Sequence, residues 1–472
     1  MKKYERLAAE IDLQISKGLI QAGEKISSIR EMSHFKGVGI NTVVRAYEIL
    51  EDRGQIINRP QSGFYVLGPH SSRSLTPPRQ RKLLPRGIDN PNLVSLVFES
   101  AQDPKTIPLG AACLTPDLYP SKSINKLIRS VVLKQPDLLG RYELPPGNFD
   151  YRRQISRRLE KFGCLIDPTE IVATNGAMDA LGLALRATCR AGDTVLIESP
   201  QYFGILQALQ QLQLRVVEVP THPVDGVDLL QIEYSLQKFH ISAAVFIPNF
   251  SNPMGILMSD EKKAALVEIF SRHGVPIIED DIYAELSFQG IRPKPLRAYD
   301  KSGNILTCSS FSKTVSPGLR IGWLATGRYQ KRIQSLQFAA SMGASSLAQH
   351  VMAKYIGSRE HERNLRELQV HCLHQVERFS RTILSKFPEH TRISSPRGGF
   401  VLWVELPMRT DSIELYRKAF KDGISISPGI LFSASGRYRN YIRLNCGNHW
   451  TAGVERALLR LAEHVDASEC NK

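Results

Sequence analysis

Long apolar runs are absent from this chain. No stretch of about 18 apolar residues is available to span a membrane, and charges interrupt every apolar run of the N-terminus MKKYERLAAEIDLQ, which excludes a signal peptide. Cysteine is sparse. The seven residues (Cys113, Cys164, Cys189, Cys308, Cys372, Cys446 and Cys470) are odd in number, scattered and never spaced CxxC. That pattern excludes a disulfide framework, offers no cysteine metal site, and predicts a reduced cytoplasmic chain that holds no metal. No repeat of fixed period is visible. At 42% hydrophobic and 23% charged residues, wholesale disorder is excluded too. Acidic residues are outnumbered, leaving a formal charge of +15 over 472 residues. Such an excess favours nucleic acid without locating a reader of sequence.

Three regions separate by texture. Residues 1–68 carry helical periodicity and end in a hairpin-like pair. Residues 69–92 (PHSSRSLTPPRQRKLLPRGIDNPN) are rich in Pro, Ser and Arg, with almost nothing to bury. They read as a basic linker, spanning roughly 25–30 Å as a flexible coil. From 93 to 472, short apolar strands (IVATNG, TVLIESP, LRVVEVP, AAVFIPN, VPIIEDD, NILTCSSF) alternate with helical stretches. That alternation predicts an α/β domain with a mixed, mostly parallel sheet. Beyond about 328 the pattern turns helical and then mixed (GGFVLWVEL, YIRLNCG), as a smaller α+β lobe would.

In the first region Leu7, Ile11, Ile15 and Leu19 share a helical face, and Gly23 is expected to stop that helix. Ser28-Ile29-Arg30-Glu31 opens a second helix, ended by Gly37-Val38-Gly39. Asn41 is expected to cap a third, with Val43, Ala46, Tyr47 and Leu50 inward and Asn41, Arg45 and Glu48 outward. Gln55–Arg59 and Phe64–Leu67 then flank the turn Pro60-Gln61-Ser62-Gly63. Three helices and a two-stranded wing describe a winged helix-turn-helix, whose third helix would enter the major groove of double-stranded DNA. The stretch KISSIREMSHFKGVGINTVVRAYEILEDRGQIINRPQSGFYV resembles the head of the GntR regulators. The resemblance implies DNA contacts by Arg30, Asn41, Thr42, Arg45, Gln61, Ser62 and Gly63. Ser27 stands where that family usually has proline, and Gly39-Ile40 replace its usual Ser-Arg, so altered or weaker recognition is expected. A small protein-interaction head is the alternative reading of the same helices.

In the third region, Lys313 sits in Ser309-Ser310-Phe311-Ser312-Lys313-Thr314-Val315-Ser316-Pro317-Gly318-Leu319-Arg320. Serines before the lysine and an arginine after it can converge on a phosphate dianion. Glu279-Asp280-Asp281-Ile282-Tyr283 ends an apolar strand, at the edge where α/β sheets bind ligands. Asn252 follows another strand end, and Ala177-Met178 open a helix whose free N–H groups suit phosphate. A lysine amine, an acid, an amide and a phosphate cradle are the parts that pyridoxal 5′-phosphate (PLP) needs.

Over roughly 95–465 these motifs, in this order, resemble the fold-type I aminotransferases. The resemblance implies Lys313 as the Schiff-base lysine and Asp280, rather than Asp281, as partner of the pyridine nitrogen. Asp281 is expected to turn away and matter far less. Asn252 and Tyr283 would hold O3′, and Tyr202 would stack on the ring. Ser310, Ser312 and Arg320, with the backbone of Ala177 and Met178, would hold the phosphate. Arg443 would clamp a substrate or effector carboxylate, and Tyr142 would reach the phosphate of a partner subunit, so a homodimer is implied.

A GntR-like head joined to such a body resembles the MocR regulators. That resemblance implies a PLP-dependent transcriptional regulator that senses an amino acid or other amine at Lys313. An active aminotransferase with an accessory DNA-binding head is the second reading, because every residue for transaminase chemistry is present. A body serving only as dimerisation scaffold is a third, for which Lys313 and Asp280 would be superfluous.

Overall fold

The computed structural model describes residues 3–16, 19–20, 24–52, 55–59, 62–66, 74–75, 77, 83–88 and 105–470. They form two compact units divided between Ser74 and Leu75.

In the head, α1 (Lys3–Ser16) buries Leu7, Ala8, Ile11 and Ile15. Leu19, expected on the same face, lies beyond the helix and is 70% exposed. The helix ends at Ser16, and Gly23, expected to stop it, lies outside the described residues. α2 (Ile29–Lys36) starts with a capping box: Glu31 N–H donates to Ser28 Oγ, and Ser28 N–H donates to Glu31 Oε2. It stops at Gly37, whose φ of 60° is the left-handed conformation that glycine adopts without strain. α3 (Ile40–Asp52) buries Val43, Ala46, Tyr47 and Leu50, the face that periodicity predicts. Asn41 does not cap it; the helix already includes Ile40, and Thr42 N–H reaches back to Gly39 O at 2.8 Å. β1 (Ile56–Arg59) and β2 (Gly63–Val66) pair antiparallel as the wing. Residues 24–26 line β2 on its other side through Ile26 N–H to Phe64 O and Val66 N–H to Glu24 O, both 2.9 Å.

The body opens with β3 (Ile107–Pro108) and then builds its main sheet. The strands are β4 (Ile171–Thr174), β5 (Thr194–Ser199), β6 (Arg215–His222), β7 (Gly226–Val227), β8 (Ala243–Phe246), β9 (Ile277–Asp280), β10 (Ile305–Ser310) and β11 (Gly322–Ala325). Their spatial order is β4-β11-β10-β9-β8-β5-β6-β7. β5, β6, β8, β9 and β10 run parallel to their neighbours among themselves, while β11 lies antiparallel between β4 and β10. Almost every strand residue is buried, as expected of a sheet covered by helices on both faces. Gly322 has no room for a side chain: a Cβ there would stand 2.6 Å from Ser309 O and 2.8 Å from the Gly176 backbone. β11 can therefore press against β4 and β10 only with glycine at that point.

The smaller lobe holds β12 (Arg392–Ile393), β13 (Val401–Glu405), β14 (Ile424–Ser425), β15 (Ser427–Pro428) and β16 (Tyr441–Asn445). Four of them form the sheet β12-β13-β16-β15, and β14 pairs with β3. Helices Arg359–Lys386, Ser412–Lys421 and Ala452–Cys470 contribute Val376, Leu415 and Leu458 to a core that includes Trp403.

A further expectation is corrected. The stretch 69–92 is not bare of buried groups: Leu75, Leu83 and Ile88 are 5%, 5% and 9% exposed. Leu75 joins the core of the smaller lobe, while Leu83 and Ile88 enter two different clusters flanking the main sheet. Between them Arg86 pairs with Val216, N–H to O at 3.0 Å one way and 2.8 Å the other. Residues 69–73, 76, 78–82 and 89–92 lie outside the described residues.

Candidate functional site

The carboxyl ends of the contiguous strands β10, β9, β8 and β5, and of β4 beyond the antiparallel β11, meet at one cleft, where open α/β sheets bind ligands. β4 leads to Ala177 and Met178, β5 to Tyr202, β8 to Asn252, β9 to Asp280 and Tyr283, and β10 to Ser310, Ser312 and Lys313. All of these line a single cavity together with Arg320 and Arg443, which β16 brings from the smaller lobe. The cavity has a volume of about 140 Å³.

At one end the groups are phosphate-like in their preference. Helix Ala177–Thr188 opens at Gly176 with the free N–H groups of its first turn facing the cleft end. Arg320 lies across it, with Nη2 at 3.2 Å from Asn175 O and Nη1 at 3.5 Å from Ser312 Oγ. Its φ of 48° is a left-handed conformation unusual for arginine, a strain of the kind that concentrates at functional sites.

In the middle stands Lys313, whose Nζ donates to Ala112 O at 2.7 Å. Burial lowers its pKa, opposed by Cys113 and assisted by the charge of Arg443. Asp280 is 7% exposed and accepts from Ile282 N–H at 3.2 Å. Burial pushes its carboxyl up to about 7, with the neighbouring Asp281 adding to the rise and Lys313 countering it. Such an acid gains by meeting a cationic partner that replaces the water it has lost. Tyr202 is raised to about 12 and Tyr283 is raised also, both through burial. They are neutral donors at neutral pH.

At the other end Arg443 is fully buried. Nη1 donates to Asn252 Oδ1 at 3.3 Å and Nη2 to Gly110 O and to Ser427 Oγ at 3.1 Å. None of these partners is a carboxylate, and Nε has no partner among the described residues. A buried guanidinium without a counter-charge is costly, and an incoming carboxylate would relieve that cost.

Tyr142 is not part of this cavity; it is 76% exposed on the surface of the single chain. The lining also includes Ala111, Ala112, Cys113, Phe203, Ile247 and Ile282, which sequence reasoning missed. Phe203 and Ile282 carried a signal, since each adjoins a residue already singled out. The 111–113 segment carried none; Asn445 fixes it by donating to Cys113 O at 2.7 Å.

In the head, Arg30, Asn41 and Arg45 are exposed and Thr42 half-buried. Asn41, Thr42 and Arg45 share a shallow groove with Tyr4, Val44 and Glu48, and the Arg45 guanidinium lies 5.6 Å from the Tyr4 ring centre. Ser62 Oγ meets Tyr65 Oη at 2.6 Å, and Gly63 holds a φ of 105°. Gln61 lies outside the described residues.

The family model for bacterial regulatory proteins of the gntR family matches residues 3–66, and that for aminotransferase class I and II matches 120–461. The HTH-type transcriptional regulator YdcR of Escherichia coli (strain K12), itself uncharacterized, is 35% identical over 98% of this chain and 99% of its own length. The chain belongs to the GntR-family transcriptional regulators of MocR type. Among relatives of this MocR-type regulator, YjiR of the same organism is 33% identical over 98% of the chain and 99% of YjiR. Among solved structures, the multiple substrate aminotransferase of Thermococcus profundus is 22% identical at a TM-score of 0.75. It covers 81% of the chain and 96% of that protein, a likeness of fold. The MocR-type body is thus a fold-type I aminotransferase fold and its head a GntR helix-turn-helix.

Proposed function

We propose that this MocR-type regulator holds pyridoxal 5′-phosphate on Lys313, senses an amino acid in the same cleft, and reads DNA with α3 and the wing. The observation that carries the reading is the convergence of Asp280, Asn252, Arg443 and, from the β10–β11 connection, Lys313 and Arg320 on one cavity. The residues fit the group. A buried acid that no salt bridge among the described residues neutralises, a phosphate-seeking helix start beside Arg320, and an amine between them match its ring nitrogen, phosphate and aldehyde.

When bound, the cofactor supplies an amine-reactive aldehyde and an electron-withdrawing ring. The chain's own residues do the rest. Lys313 offers an amine whose lowered pKa leaves more of it uncharged and nucleophilic. Asp280 holds a proton at the ring nitrogen. Asn252 and Tyr283 donate toward O3′, and Tyr202 covers the ring. Ser310, Ser312, Arg320 and the amides of Ala177 and Met178 orient the phosphate. Arg443, with its unpartnered Nε, would take the effector carboxylate and so favour amino acids over simple amines.

The head supplies exposed polar groups at the start of α3, suited to base edges or phosphates of double-stranded DNA. A homodimer fits an exposed Tyr142, which could then serve a neighbouring subunit's phosphate. A cytoplasmic location suits a DNA reader; among the described residues no helix is long and apolar enough to cross a membrane.

The test is a spectral titration of the purified protein with a panel of amines and amino acids, followed by DNA binding with whichever reacts. A visible band that shifts with one amino acid, together with a change in DNA affinity, supports the reading. A colourless protein that takes up no cofactor defeats it. Sustained conversion of the amino acid to its keto acid would instead favour an active aminotransferase.

A further inference from the structure

Asp281 turns away from the cleft but is not idle. Its side chain is fully buried, and its two oxygens are used in two directions. Oδ1 accepts from Asn249 Nδ2 at 2.7 Å, and Oδ2 accepts from Arg292 Nη2. Its backbone is held as well: Asp281 N–H donates to Cys308 O at 2.9 Å, and Ser309 Oγ donates to Asp281 O at 3.0 Å. One residue therefore ties together the strand end bearing Asp280, the turn leading to Asn252, and the strand that delivers Lys313.

The ion pair continues outward. Arg292 Nε donates to Glu285 Oε1 at 3.2 Å, and Arg158 grips both oxygens of Glu285 at 2.7 Å. Arg158 also reaches Glu362 at 2.8 Å, on helix Arg359–Lys386. The charged groups facing Asp281 are Arg292 and Glu285 from the segment after β9 and Lys263 from helix Asp260–His273. Glu279 and Asp280 adjoin it in sequence. Against this crowd of acids, Arg292 is the partner that balances Asp281 directly.

We propose that Asp281 and Arg292 form a positioning pair for the cofactor site, aiming Asp280 and Asn252 while cancelling each other's charge. The inference rests on the reading that PLP binds at Lys313. Its electrostatic signature is a pair of opposite effects. Without the Arg292 charge, Asp281 loses its direct counter-charge and keeps only the facing Lys263, so a proton at Lys313 Nζ is held to higher pH. Without the Asp281 charge, Arg292 is left with Glu285 alone, the balance there turns more positive, and that proton leaves at lower pH.

The experiment uses the full chain loaded with PLP, unmodified and as Arg292→Gln, Asp281→Asn and the double variant. It reads the cofactor dissociation constant and the pH midpoint of the visible band, which follows the proton at Lys313 Nζ. The midpoint should rise in Arg292→Gln and fall in Asp281→Asn, each by about half a pH unit or more. It should return close to the unmodified value in the double variant, and both single variants should bind the cofactor more weakly. If either single variant is too unstable to load, Arg292→Lys, which keeps the charge, must keep the midpoint while weakening binding. Midpoints moving the same way in both single variants, or not moving at all in chains that carry the band, overturn the pair. An unmodified chain without a visible band overturns the underlying reading instead, and the two failures are thereby distinct.

Discussion

The head and the body handle their polar groups in opposite ways. In the head, the residues proposed to read DNA stand on the surface, with Asn41, Arg45 and Arg30 exposed above a core of Val43, Ala46, Tyr47 and Leu50. In the body, Asp280 and Arg443 are buried and press on neighbours that must be satisfied at the same time. An exposed reader can change without disturbing the fold beneath it. A buried site residue cannot, and its replacement alters binding and stability together.

The contrast is broken or sharpened by four measurements. Lys313→Ala should abolish the borohydride-stable pyridoxyl adduct completely, as read by mass spectrometry of the reduced protein. An adduct of unchanged yield would place the reactive amine elsewhere. Arg443→Ala should weaken an amino acid effector by about 1.5–3 kcal/mol for each charged hydrogen bond lost. It should leave the corresponding decarboxylated amine nearly unaffected, and equal losses for both would mean that no carboxylate is bound there. Arg45→Ala should lower operator affinity by about 1–3 kcal/mol if the contact is to a base, or reduce the salt slope by roughly one if it is to phosphate. Its melting temperature should stay unchanged, unlike that of the Arg443 variant.

The smallest effect concerns pH. Asp280 in the cofactor-free fold has a pKa near 7, above the carboxylate value of the unfolded chain. Its folded form thus binds the proton more tightly, so stability falls as pH rises from about 4 to about 7 and then levels. Asp280→Asn should remove that dependence, making the cofactor-free variant gain on the unmodified chain as pH increases through this window. Denaturation at pH 5 and pH 8 would show it; a gain at pH 5 alone would contradict the sign.

How much of this was legible depends on the kind of side chain. Asn252, Asp280 and Lys313 announced themselves because each polar group follows an apolar strand, Arg320 because it follows the lysine, and Tyr202 only through the resemblance; the structure brings all five to one cavity. α3 was legible through its inward face, though its start was misplaced by reading Asn41 as a cap when the turn begins at Gly39. Leu19 fitted the periodicity of α1, but the helix had already ended. Ala111–Cys113 could not be found, since no local pattern marks the segment and the hydrogen bond to Lys313 comes from the backbone carbonyl of Ala112. The pair Arg158–Glu285 joins residues 127 positions apart, and no local pattern marks it. Leu75, Leu83 and Ile88 were hidden as isolated apolar residues among prolines and arginines.

Those three leucine and isoleucine side chains bear on where the molecule can be cut. Arg86 occupies the rim of β6 through both of its backbone hydrogen bonds to Val216, so the chain itself seals that margin of the sheet. A body truncated to begin at residue 93 would leave the Val216 amide and carbonyl bare and three clusters each short of a side chain, inviting edge-to-edge association. A body beginning at Leu75 would keep the seam closed. The stretch that looks like a tether is, over Leu83–Ile88, the selvage of the sheet.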